Sequence, residues 1–274
     1  MVYLQDGKVK NMKIKLFESS NSDSTFIKEI LTSLLIKAGF KVTESKKFDI
    51  GIAIGGDGTF LHMIMESNFN PDVLFIGINN GTLGFLQEIK PNEIKNFIKN
   101  LEKNDYKIEE LSFEEIEVTS EGKKKKFKSL NEVVVRERDL KTAYFDVLID
   151  GETLENFVGD GVMVSTPTGS TSYNLSGGGA IIYNGIHALE ITPLAPINNY
   201  IYRTLTNSII IPDSKIINII PTKRTTSVNL FIDGNLYPFE TIDKIEMRLS
   251  KDKIKVIRMN EYDYTKIIYN KFLK

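Results

Sequence analysis

Apolar and polar positions follow two different periods along this chain, and the change falls near residue 105. "MKIKLF" (12–17) reads as a strand. Phe26, Ile27, Ile30, Leu31, Leu34 and Leu35 recur at helical spacing, with Ser22 or Asp23 as the expected cap and Gly39 as the stop. "FDIGIAI" (48–54) and "DVLFIGI" (72–78) are nearly continuous apolar runs, as in strands buried on both faces. Helices are predicted near 59–67 and 92–103, the second with Pro91 at its start, where a missing N–H costs nothing. This strand-helix order predicts a parallel sheet with helices on its faces.

Beyond residue 105 the period is two. "YKIEELSFEEIEVTS" and "KKKKFKSLNEVVVRER" read as a hairpin with Gly122 at the turn. Asp150-Gly151 and Asp233-Gly234 each separate two strand-like runs, a strong two-residue hairpin signal. The lysine run 123–126 reads as a solvated loop at a hairpin tip. The expected organisation is an α/β N-terminal domain with a parallel sheet (1–105) and a β-rich C-terminal domain (106–253). Residues 254–274 are a candidate to complete the first domain.

Composition narrows the chemistry. Of 274 residues 41% are hydrophobic and 26% charged, as in an ordinary globular protein. The formal net charge of −1 removes the bulk argument for nucleic acid or an anionic membrane, so an anionic ligand must be held by local geometry. With no cysteine, disulfides, thiolate metal sites and cysteine nucleophiles are excluded, and His62 and His187 stand too far apart in sequence to suggest a histidine-rich metal site. No apolar run approaches the roughly 18 residues of a membrane span, and residues 1–17 lack a signal-peptide core. A cytoplasmic protein is the expectation.

Candidate chemistry starts at Gly55-Gly56-Asp57-Gly58-Thr59, between an apolar strand and a helix. Glycines let a ligand approach the main chain, and free N–H groups at a helix start attract phosphate. Asp57 is odd there, since a carboxylate repels phosphate; it makes sense facing a hydroxyl or a metal-bound phosphate. A tight turn with Asp57 as a cap explains the same residues. Neither a Walker pattern nor a spaced G-x-G-x-x-G is present. A second glycine loop, "NNGTLGF" (79–85), follows the next strand and would reach the same sheet edge. Asn131-Glu132 opens an apolar strand, and its amide and carboxylate suit a base edge or ribose. The segment 158–180 is dense in glycine and hydroxyl residues, with Tyr173 able to stack on a planar ring. Pro167 and the flanking "GVMVS" make a flexible linker a poor account of it. "PLAPINNYIYRTL" (193–205) could wall a pocket.

"GGDGTFL", "LNEVVV", "GDGVMVSTPTGSTSYNLSGGG" and "PINN", in this order and spacing, resemble the NAD kinases across residues 48 to 240. GGDGT alone is shared with diacylglycerol kinases and phosphofructokinase-like enzymes; the TPTGST segment with its tyrosine is what separates the NAD kinases. The resemblance implies transfer of the γ-phosphoryl of ATP to the 2′-hydroxyl of the adenosine ribose of NAD, with Mg²⁺ or another divalent cation accompanying ATP. It implies a homodimer or homotetramer and no nucleic-acid or membrane partner. Asp57 matches the family's catalytic aspartate, with Gly55, Gly56, Gly58 and Thr59 holding phosphates and Asn131 and Glu132 binding the dinucleotide. Asp160, Ala195 and the run Thr171, Ser172, Tyr173, Asn174, Leu175, Ser176 fall where the family contacts NAD. His62 stands where a basic residue often follows the aspartate, and Lys141 and Asn235 are looser correspondences. Val158 departs from the arginine many relatives carry there, which removes a charge contact to the pyrophosphate.

An aspartate with a reference pKa of about 3.9 is a weak base, so orienting the hydroxyl matters as much as removing its proton. The sequence shows no conspicuous basic cluster, which assigns phosphate neutralisation to the cation and to backbone N–H groups. Two other readings share the glycine loop: a lipid or sugar kinase, and a non-catalytic nucleotide-binding regulator. The Asn-Glu pair and TPTGST give the first no support, and the intact Asp57 speaks against the second.

Overall fold

The computed structural model describes residues 12–81, 84–139, 141–225 and 227–274. The chain runs through β1 (Lys13–Glu18), α1 (Ser22–Lys37), a short β2 (Lys41–Val42), β3 (Ile50–Gly55), α2 (Asp57–Glu66), β4 (Leu74–Asn79), α3 (Ile94–Lys103) and β5 (Lys107–Leu111). Every residue of β3 and β4 is buried, which is why neither carries a polar alternation. The cap of α1 is Asn21 rather than Ser22 or Asp23. Asn21 keeps an extended backbone and its side-chain oxygen accepts from Ser24 N–H at 2.8 Å, whereas Ser22 is already helical. Pro91 lies in a single 3-10 turn ahead of α3, which buries Ile94, Phe97, Ile98 and Leu101. Burying each of these is worth about 1.5–3 kcal/mol.

The next stretch is β-rich: β6 (Glu114–Ser120), β7 (Lys123–Ser129), β8 (Glu132–Glu137), β9 (Ala143–Ile149), β10 (Glu152–Gly159) and β11 (Gly161–Ser165) precede the one-turn α4 (Tyr173–Ser176). β12 (Ala188–Leu194), β13 (Ile209–Pro212), β14 (Ile217–Pro221), β15 (Val228–Ile232), β16 (Asn235–Phe239) and β17 (Lys244–Leu249) follow. They make two six-stranded antiparallel sheets, in the orders β10-β9-β14-β17-β6-β7 and β13-β12-β11-β8-β15-β16. Inward side chains of both, among them Val133, Val135, Phe145, Phe157, Val162 and Ile245, form one core, as in a sandwich. Both Asp-Gly pairs turn hairpins with positive φ at each residue, the geometry that favours this dipeptide. The lysine run is a correction: Lys123–Lys126 belong to β7, an edge strand paired among the described residues only with β6, and not to a loop. Their exposed charges discourage a further strand from adding to that edge.

β18 (Ile254–Arg258) and α5 (Tyr264–Phe272) close the chain. β18 runs parallel to β4 and antiparallel to β5, completing a sheet of order β2-β1-β3-β4-β18-β5. Two compact units result: one ends at Leu111 and takes in Ile254–Lys274, the other is Ser112–Lys253. An α/β unit built on a largely parallel sheet and a β-rich unit are therefore both present, with β5 as an antiparallel edge on the first.

Candidate functional site

In the first unit the strand-to-helix turn delivers Asp57 as the first residue of α2, behind the N-cap Gly56. No side chain caps this helix; Thr59 N–H turns back to Gly56 C=O at 3.0 Å, and the N–H groups ahead of it face the open side of the turn. Asp57 is not a cap: its carboxylate reaches across to the segment after β4, where Oδ2 accepts from Phe85 N–H at 3.1 Å and Oδ1 from Leu86 N–H at 3.0 Å. Gly84 makes that approach possible. A Cβ there would stand 2.3 Å from Asp57 Oδ1 and 2.1 Å from Gln87 Oε1. Gly55 has φ +152, and its own Cβ would fall 2.5 Å from Thr59 Oγ1. Among the described residues nothing approaches the open faces of Gly56 and Gly58. Half-buried Thr59 and exposed His62 share this helix, His62 set edge-on to Phe17 at 6.3 Å. The two glycine loops thus meet through Asp57; Thr82 and Leu83 of the second lie outside the described residues.

In the second unit a node forms around Asn131-Glu132, and its anchor is Asp233. Asp233 Oδ1 accepts from Ser129 Oγ and Asn131 N–H, both at 2.8 Å, and Oδ2 accepts from Leu130 N–H at 2.8 Å. The sequence marked Asp233 only as a turn residue; nothing local to it signals that it braces residues a hundred positions earlier. On the other side, Asn131 C=O accepts from Thr166 N–H at 2.9 Å, and Thr166 Oγ1 donates to Leu130 C=O at 2.5 Å. Gly169 lies flat on this loop: a Cβ on it would meet Asn131 O at 2.1 Å and Asn131 C at 2.4 Å. Both are backbone atoms that cannot swing aside. Gly169→Ala is therefore expected to destabilise the protein by about 2–4 kcal/mol, read as a lower urea midpoint with an unchanged slope.

Three carboxyl groups gather here. Burial pushes the Glu132 carboxyl up to about 7, with the Asp233 charge adding to the effect and a hydrogen bond from Ser172 opposing it. Fully buried Glu114 is raised well above the ordinary carboxyl range, by burial first and then by Asp233 and Glu132. Burial also raises Asp233, against the pull of the amides it accepts from. Glu132 Oε2 is buried with no hydrogen-bond partner among the described residues, a polar atom suited to a hydroxyl.

The remaining candidates divide between the ends of one sheet. Thr171 and Ser172 stand beside Glu132's end, and Asn235 opens β16 on the same side, its amide directed to Ile232 C=O at 3.4 Å. Tyr173 is exposed, Leu175 half-buried and Ser176 exposed on α4. Asn174 is fully buried and committed internally: Nδ2 donates to Glu190 at 2.7 Å and Oδ1 accepts from Thr192 Oγ1 at 2.7 Å. Its part is to fix the loop rather than to offer a free amide. At the opposite end are Asp160, facing Arg136 at 3.6 Å, and Ala195 with φ +44; buried Val158 C=O accepts from Ile197 N–H at 2.8 Å. Lys141 follows that end of β8, with its N–H on Glu137 and its ammonium 3.1 Å from Asp139. Glu132 pairs with Ser165 and Arg136 with Gly161, so four strand positions, about 13 Å, separate the two groups.

One feature escaped linear reading. Arg203, Lys223 and Arg224, scattered in sequence, line one groove of about 590 Å³ with Tyr144 and Tyr202. Arg224 lies 5.0 Å from the Tyr144 ring centre, and the two tyrosines are hydrogen-bonded, which with Arg224 holds the Tyr202 phenol below its usual range.

Comparison with known proteins addresses the same residues. A family model described as the ATP-NAD kinase N-terminal domain matches residues 2–106, and one described as the ATP-NAD kinase C-terminal domain matches 130–259. The chain belongs to the NAD kinase family. Its members are phosphotransferases with an alcohol acceptor. An NAD kinase of Finegoldia magna is 37% identical over 271 residues, covering 95% of this chain and 97% of the relative. An NAD kinase of Streptococcus pneumoniae is 39% identical over 208 residues, 75% of this chain and 76% of its own. In fold, the chain is similar to yeast NADH kinase complexed with NADH, with a TM-score of 0.86 at 20% identity over 96% of this chain and 87% of that one. It is also similar to an NAD kinase from Archaeoglobus fulgidus in complex with ATP, with a TM-score of 0.75 at 21% identity over 94% and 97%.

Proposed function

We propose that this member of the family transfers the γ-phosphoryl of ATP to the 2′-hydroxyl of the adenosine ribose of NAD, giving NADP. The observation that carries the reading is the Asp57 carboxylate at the first residue of α2, beside glycines whose faces are open. Each Asp57 oxygen accepts one backbone N–H and keeps a further lone pair, so the carboxylate is oriented and still able to accept the hydroxyl proton. The N–H groups of Gly56, Asp57 and Gly58 are proposed as phosphate donors at the helix start, the Thr59 N–H being turned back to Gly56 C=O. Asn131, Glu132 and the Thr171–Ser176 segment are proposed to hold the dinucleotide, with Tyr173 as a stacking face. Asp160, Ala195, Lys141, Asn235 and His62 are proposed as further contacts on the family resemblance.

Mg²⁺ or another divalent cation is proposed to enter with ATP. Among the described residues no three His, Asp or Glu side chains are arranged to hold a metal ion. That fits an ion held by phosphates, water and one or two carboxylates, where it neutralises phosphate charge. A homodimer or homotetramer is proposed from the resemblance and is tested by sedimentation velocity, a monomer at all concentrations rejecting it. No described helix is long and apolar enough to cross a membrane, and the cytoplasm is the proposed compartment. The deciding experiment incubates purified protein with NAD and Mg-ATP, and in parallel with NADH or with polyphosphate, and measures NADP or NADPH. Formation of NADP is the expected result. No product from folded protein with any donor overturns the reading.

A further inference from the structure

The last strand and helix of the chain carry residues that the reaction does not touch. Arg258, at the end of β18, is only 2% exposed. A guanidinium that deep in a protein is costly unless its donors are used. Its Nε donates to Glu109 Oε2 at 2.7 Å and its Nη1 to Leu86 C=O at 3.1 Å, while its plane lies 4.1 Å from the Tyr262 ring centre. Leu86 is the residue whose N–H donates to Asp57 Oδ1. It is therefore held at both ends, by a fixed cation at its carbonyl and by the carboxylate at its amide. The neighbouring donor, Phe85, is fixed through its side chain. Its ring packs against Phe272 at 5.5 Å and Tyr264 at 6.5 Å, both on α5.

We propose that Arg258 is a positioning residue for the Asp57 carboxylate, acting through Leu86, and that α5 supports the same clasp through Phe85. The proposal rests on the phosphotransfer reading of Asp57. An aspartate at a strand-to-helix turn has free rotation about its side-chain bonds; two N–H donors from one short segment allow it a single orientation. Those donors stay in place only if the segment does. Glu109 holds the guanidinium, the guanidinium holds Leu86, and Leu86 aims the oxygen that faces the reacting hydroxyl.

The test uses the full chain and four variants: Arg258→Met, Arg258→Lys, Asp57→Asn, and Asp57→Asn combined with Arg258→Met. Lysine keeps the buried positive charge for Glu109 but cannot span Glu109 and the Leu86 carbonyl together. Arg258→Lys is expected to lower kcat by about tenfold, with the KM for NAD within about twofold, because an orientation used only in the transition state is lost. In the Asp57→Asn background, Arg258→Met is expected to lower kcat by less than about twofold, since no carboxylate remains to be aimed. Equal fold-losses in both backgrounds, or a change in KM alone, would overturn the proposal. Amide exchange gives a readout that needs no activity: Leu86 N–H should exchange at least about tenfold faster in Arg258→Lys, with the β3 amides unchanged. Unchanged Leu86 exchange overturns the proposal even if the kinase reading holds. An inactive wild type sinks the kinase reading instead, and leaves the exchange result to decide the clasp.

Discussion

Asp57→Asn is expected to lower kcat for NADP formation by about 10²- to 10⁴-fold, the range that a positioned proton acceptor supplies. The fold and NAD affinity should persist, because the two units have cores to which Asp57 contributes nothing. The change is nevertheless not silent in structure. A carboxylate accepts from both Phe85 N–H and Leu86 N–H. A carboxamide has one acceptor oxygen, so its NH₂ must face one of those N–H groups. That mismatch costs about 1–3 kcal/mol at the loop. Loss of turnover should therefore come with faster exchange at one of the two amides and little change elsewhere. Wild-type kcat in Asp57→Asn would remove Asp57 from the chemistry.

Glu132→Gln is expected to raise stability at neutral and alkaline pH, together with a loss of function. The Glu132 carboxyl is raised from 4.5 to about 7, by burial first and by the Asp233 charge second. A carboxyl with a raised folded-state pKa favours folding while protonated. Its contribution is complete below the unfolded value and is lost as pH rises from about 4.5 through about 7. The span corresponds to about 3 kcal/mol. Glutamine has the same shape, still accepts from Ser172 and never ionises. At pH 8 the variant should melt about 6–12 °C above wild type, and near pH 4 the two should coincide. The gain has a functional counterpart: with Glu132 proposed to hold the dinucleotide, the KM for NAD should rise at least about tenfold. Parallel stability-pH curves for the two proteins would contradict the assignment.

Much of this architecture is legible without coordinates because it is local. The buried runs that become β3 and β4 need only be apolar on both faces, and the Asp-Gly pairs need only tolerate positive φ. The GGDGT turn is likewise contained in five consecutive residues. What reading along the chain misses is long-range and polar. Asp233 serves residues 129–132, Arg258 serves Leu86, and Arg203 meets Arg224 in one groove, each across tens to hundreds of positions. No periodicity encodes such pairings, since each depends on which strands become neighbours. The Asn21 cap is hidden for a smaller reason: asparagine, serine and aspartate compete for the same role, and only backbone geometry decides between them. The lysine run misled because charge density reads as loop, whereas on an edge strand every other backbone group is already wet.

The order of the first sheet sets a schedule for synthesis. β5 has one neighbour in that sheet, β18, and the ribosome completes the whole second unit before it reaches Ile254. The GGDGT turn emerges early, yet Arg258, which holds Leu86, is made only after the whole second unit. Long-range pairing of this kind is slow to form and is exposed while it waits. A nascent chain that stalls in the second unit therefore carries a GGDGT loop with no Arg258 to brace Leu86, and on our proposal an Asp57 carboxylate that is not yet aimed.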